Sequence, residues 1–160
     1  MKIFPIKSYE IKLTDNPENN IKLLKLNTLE SDSLSTKSTN KQFIGRINVN
    51  NFEIIGSEAG IGAFTVLRGN FSDDTVTVVA EVNNPFKVLI SIMFIFAIGG
   101  ISYNAFKIGF PGAFGMLVPL TMFIGLVRFV FLGLIFKRSF NLIFGKFTSL
   151  LNINQSNARL

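Results

Sequence analysis

The chain has 160 residues, a formal charge of +6, and neither cysteine nor histidine. That composition excludes a disulfide framework, thiolate metal or redox chemistry, and the usual imidazole base or ligand. The charge is unevenly placed: nine basic and ten acidic side chains lie in the first 85 residues, whereas beyond Glu81 there are seven Lys or Arg and no acid.

The N-terminus lacks a continuous apolar stretch of signal-peptide length, so the front half is expected to stay cytoplasmic until Phe86. Residues Lys7 to Leu13 alternate, with Tyr9, Ile11 and Leu13 on one side, which predicts a half-buried strand. Asn16-Pro17-Glu18 then supplies an N-cap, a first-turn proline and a first-turn acid. A helix from Pro17 to about Leu26 follows, burying Ile21, Leu24 and Leu23. The Ser-, Thr-, Asn- and Lys-rich stretch Thr28 to Lys41 reads as a flexible linker or loop.

Four short antiparallel strands come next. Phe43 to Val49 and Phe52 to Ile55 flank an Asn50-Asn51 turn, and Ala63 to Phe71 and Thr75 to Val82 flank Ser72-Asp73-Asp74. Such a meander has one apolar face, and the early helix, the cytoplasmic end of the following segment or a lipid surface is expected to cover it.

The basic half contains two apolar runs of membrane-spanning length, Phe86 to about Phe106 and Ala113 to Phe136, separated by a turn at Lys107 to Gly112. The second run holds fifteen Leu, Ile, Phe or Val. At about −0.3 to −0.6 kcal/mol each, these outweigh the ~2.5 to 3.5 kcal/mol cost of Arg128. The predicted fold class is therefore a membrane α-helical hairpin of two spans with a small cytoplasmic α+β domain containing an antiparallel β-meander. Three segments result: a domain over 1–85, the hairpin over 86–136 and a basic, partly interfacial tail over 137–160. Lys87 on one flank and Lys137, Arg138 and Lys146 on the other set the topology, placing both termini in the cytoplasm. Within the tail, Arg138 to about Leu151 predicts an interfacial helix with Phe140, Ile143, Phe144 and Phe147 toward lipid and Lys146 toward water.

Arg128 admits three readings: snorkelling to lipid phosphate, which the sequence favours, pairing with a partner subunit's carboxylate, or a transport role. Ala97, Gly99, Gly100, Gly125 and Gly133 are candidates for close helix packing, within the chain or in an oligomer.

Phe43-Ile44-Gly45, Asn51-Phe52-Glu53-Ile54, Gly69-Asn70-Phe71, Asn84-Pro85-Phe86 and Gly115 to Pro119 resemble the pattern of a group of small, uncharacterised bacterial two-span membrane proteins. The chain departs from it at Glu58 to Gly62, which is short and lacks the group's arginine. The resemblance implies an N-terminal strand and helix, a β-meander, two spans and a basic tail. The order of strand, helix, meander and closing helix is also similar to helix-grip lipid-binding domains.

Catalytic patterns are thin. Asp73-Asp74 reads as a turn, no Gly-rich segment has phosphate-loop spacing, and without histidine a serine nucleophile would need a lysine base that no spacing recommends. A near-neutral front half without a basic stripe argues against nucleic acid. The expected function is that of a non-catalytic accessory or scaffold protein of the bacterial inner membrane, with no cofactor and no metal. Its partners would be membrane lipid and a protein partner or further copies of itself. A small pore-forming or defence-associated effector and a lipid or apolar-ligand binder are the alternatives.

Overall fold

The computed structural model describes residues 4–109, 115, 117–152 and 158–159. These divide into two compact units, one built from the chain up to Asn83 together with the chain from Phe136, the other from Asn84–Ile135.

The first unit is a mixed sheet with helices on one side. Its elements are β1 (Ile6–Lys12), α1 (Pro17–Asn27), β2 (Thr28–Glu30), β3 (Phe43–Ile47), β4 (Asn51–Gly56), a short 3-10 turn (Ile61–Ala63), β5 (Thr65–Phe71) and β6 (Thr75–Val82). The strands stand in the order β2-β3-β4-β5-β6-β1, with a two-residue piece, Ala158–Arg159, beside β1. The meander β3 to β6 is antiparallel throughout, and β1 lies antiparallel along β6 from Ile6 opposite Glu81 to Lys12 opposite Thr75. β2 pairs with β3 in parallel, which makes the sheet mixed. The stretch expected to be a loop from Thr28 to Lys41 therefore opens with a strand of three residues.

α1 starts where its cap chemistry places it. The Asn16 side chain accepts from the Glu18 amide at 3.2 Å, Pro17 occupies the first turn, and Thr28 Oγ1 donates to the Leu24 carbonyl at 2.7 Å to close the last turn. Leu24 is fully buried, Ile21 is partly buried and packs on the core, and Leu23 is exposed.

The other cover of the sheet is α4 (Phe136–Leu150). Phe140, Ile143, Phe144 and Phe147 belong to the same core as Ile11, Phe43, Phe52, Ile54, Leu67 and Val78. The tail helix does not turn this face toward lipid: it lays it on the meander. Aromatic rings line the junction: Tyr9 stacks on Phe140 at 5.5 Å and meets Phe144 tilted at 4.9 Å, and Phe52 meets Phe147 tilted at 5.2 Å. A glycine makes room beneath: a Cβ on Gly69 would sit 2.3 Å from the Phe52 ring.

The second unit contains α2 (Asn84–Ile108), α3 (Leu117–Gly125) and a π-helical stretch, Leu126–Ile135. α2 is apolar around its whole circumference. It ends at Ile108, and Gly109 follows with φ 79°, the left-handed conformation that commonly stops a helix. The turn expected at Lys107 to Gly112 lies, from Phe110 on, outside the described residues. Phe94 and Phe123 meet edge to face at 5.5 Å.

Candidate functional site

Two surfaces stand out: the sheet face opposite α1 and α4, and the apolar surface of the helices in the second unit. On the sheet, alternation places Arg46 of β3, Glu53 of β4, Arg68 of β5 and Glu81 of β6 on the side opposite α1 and α4. Register sets Arg46 across from Glu53 and Glu53 across from Arg68. The four form an ion ladder: Arg46 Nη2 lies 3.4 Å from Glu53 Oε2, Arg68 Nη2 2.6 Å from Glu53 Oε1, and Arg68 Nη1 meets Glu81 Oε1. Arg68 and Arg46 keep 43% and 50% of their side chains in solvent, so the ladder is screened and its contribution to stability is small. A shallow depression of about 540 Å³ lies over this face, between Arg46, Glu53, Arg68, Asn70 and Thr77.

At one end of the same face, Ile44, Ile55 and Val66 are fully buried. The Asn83 side chain is buried there too, donating to the carbonyls of Leu34 and Ala63 at 2.9 Å each. That bond brings the irregular stretch after β2 across the end of the sheet.

Asp73 and Asp74 occupy a turn, as their sequence context implies: Leu13 donates to the Asp74 carbonyl at 2.8 Å, and Ser72 to that of Thr75 at 2.8 Å. Among the described residues no three His, Cys, Asp or Glu side chains converge as a metal site.

The second surface is set by two helices long and apolar enough to cross a membrane, Asn84–Lys107 and the helical stretch Leu117–Leu150. Only 6% and 11% of their most apolar windows are buried. A core helix of a water-soluble protein would show the reverse.

The residues singled out from the sequence are dispersed. Arg128 is exposed in the π-helical stretch and, among the described residues, its side chain meets no carboxylate. Gly99, Gly100 and Gly125 make no close approach: a Cβ on any of them would find no atom within 4 Å. On Gly133 it would meet only the Arg128 carbonyl, at 3.5 Å. Ala97 is half-buried. Lys87 is half-buried, and Lys137 and Arg138 are exposed.

Lys146 belongs to the fold as well as to the charge pattern: its Nζ contacts Glu58 Oε1 of the β4–β5 connection. The other Glu58 oxygen is buried against Gly56 and Gly62, where a Cβ would come to 2.7 and 3.2 Å of it. Sequence reasoning missed Glu58 in this role and the whole of the ion ladder. Only strand register could have revealed the ladder, since its members are separated along the chain.

No family model matches this chain, and neither a curated protein nor a solved structure matches it.

Proposed function

We propose that this protein is a non-catalytic, two-span accessory or scaffold protein of the bacterial inner membrane. On this reading the Asn84–Ile135 unit is a hairpin held in the bilayer, and the sheet domain is presented at the cytoplasmic surface to a protein partner. The observation that carries it is the interruption of one folded unit by an apolar insert. The chain leaves that unit after Asn83 and rejoins it at Phe136, with Asn83 bonded to the carbonyl of Ala63 and Ser139 Oγ to that of Ile61 at 2.7 Å. An insert whose two ends belong to one water-soluble fold must cross the bilayer an even number of times.

Dimensions support the same reading. The 24 residues of Asn84–Lys107 reach roughly 36 Å at 1.5 Å per residue, against a hydrocarbon core of about 30 Å. The exposed cations Lys137 and Arg138 at the return point favour the cytoplasmic side. With α1 and α4 covering one face and the stretch after β2 crossing one end of the other, the part bearing the ion ladder is the surface left for docking.

The test is a pair of measurements on the full-length protein. Membranes washed with alkaline carbonate should retain it, and tags at the two ends should both be inaccessible to an impermeant reagent in intact cells. Release by carbonate, or tags reporting opposite sides, would overturn the proposal.

A further inference from the structure

Arg128 is a permanent cation in a stretch whose nearest residues are Val127, Phe129 and Val130. Ile135 lies seven positions further on, at most about 10 Å along the axis at the α-helical rise, which places Arg128 inside the span proposed above. Ionisable groups at such positions pair with an opposite charge or with backbone carbonyls, or snorkel to the interface. Every Asp and Glu of this chain lies at or before Glu81, so the spans of a second copy carry no carboxylate to offer.

Two further observations concern what approaches Arg128. The ten residues Leu126–Ile135 adopt π-helical geometry, which is rare, appears elsewhere mostly as single-turn bulges, and is frequent at functional sites. Gly125 stands three residues before Arg128 and Gly133 five after it, about one turn on either side. Gly125 has open space around it, and Gly133 has only the helix's own Arg128 carbonyl near. Small residues of this kind let a second helix bring its backbone close.

From these we infer that the Gly125–Arg128–Gly133 surface is the docking site for a membrane-spanning helix of a different protein, one that carries an Asp or Glu at the depth of Arg128. The inference rests on the membrane reading above and names the chemistry of its partner. The carboxylate accepts hydrogen bonds from the guanidinium, and the glycines admit the partner's backbone.

The test uses the full-length protein in phosphatidylcholine vesicles with a synthetic Leu-rich spanning peptide bearing Asp, Gln or Leu at the matching depth. Association is read by energy transfer between dyes on the two. The Asp peptide should associate at least about tenfold more strongly than the Leu peptide, as a hydrogen bond to a charged group implies. The Gln peptide should fall between them. Arg128→Leu should erase the preference, Arg128→Lys should keep part of it, and Gly133→Leu should weaken association while leaving Arg128 in place.

Equal association of the three peptides overturns the inference. So does loss of the preference when phosphatidylglycerol is added, which would assign Arg128 to headgroup phosphate instead. Carbonate extraction of the same vesicles separates the two levels of argument. Protein that washes off defeats the membrane reading itself, whereas protein that stays embedded without an Asp preference defeats only the partner assignment.

Discussion

Phe147→Ala removes one of the side chains that join α4 to the meander. Phe147 is fully buried in the core and packs its ring on Phe52, which itself touches Phe71 at 5.4 Å. Truncating a buried phenylalanine costs about 3–5 kcal/mol, including the cavity left behind. Against a domain stability of about 5–15 kcal/mol this loss is large, so the variant should lie close to unfolding. Hydrogen exchange of the full-length protein in mild detergent reads the effect: amides of β4, β5 and β6 should lose protection by two to three orders of magnitude, about 1.4 kcal/mol for each factor of ten. Ile143→Val, at the same junction, should cost only ~0.5–1.5 kcal/mol and mark the gentle end of the series. Had α4 lain on lipid, Phe147→Ala would weaken membrane attachment and leave sheet protection alone. Unchanged protection in β4 to β6 would refute the packing described above.

The remaining expectations follow from the same contacts. Replacing residues 84–135 by a flexible linker of about ten residues should yield a detergent-free, monodisperse domain with the sheet intact, because Asn83 and Ser139 are both tied to the Ile61–Ala63 turn; aggregation with lost β signal would count against it. A chain ending at Asn83 should fail to fold, since α4 is missing from its core, and circular dichroism would show this. Gly45→Ala should be strongly destabilising, because Gly45 has φ 155° and a Cβ there would lie 2.0 Å from the Glu53 carbonyl oxygen; a thermal midpoint within 2 °C of the parent would contradict it. Glu81→Gln should cost only about 1 kcal/mol although Glu81 is 12% exposed, since Arg68 keeps 43% of its side chain in solvent and its pairing with Glu53. A large shift in melting would show the ladder to be structural.

Local pattern made much of the front unit legible. Alternation from Tyr9 to Leu13 and from Val76 to Val82 identifies strands whichever neighbours they find, and Asn16-Pro17-Glu18 starts a helix by its own chemistry. What escaped depends on partners distant in the chain. Thr28–Glu30 carries no strand signal of its own and becomes β2 only because β3 offers an edge. Phe140, Ile143, Phe144 and Phe147 make an apolar stripe that suits lipid and sheet equally, and the membrane-like sequence before them favoured lipid. The stripe specifies that something apolar covers it, but not what. The candidate site was legible in part: Arg128 announces itself as a charge in an apolar run, whereas Arg46, Glu53, Arg68 and Glu81 come together only through strand register.

The interruption of the sheet unit by Asn84–Ile135 also orders events during biosynthesis. All six main strands leave the ribosome before the helix that shields them exists. Completing the chain from Asn84 to Leu151 takes roughly 3–14 s at 5–20 residues per second. Throughout that interval Phe52, Leu67 and Val78 lack the cover of α4, so the nascent sheet is exposed to sticking to its neighbours. Maturation of the sheet unit thus waits on synthesis of the Asn84–Ile135 insert, and a mutation that slows translation through that insert should surface first as aggregation of a domain it never touches.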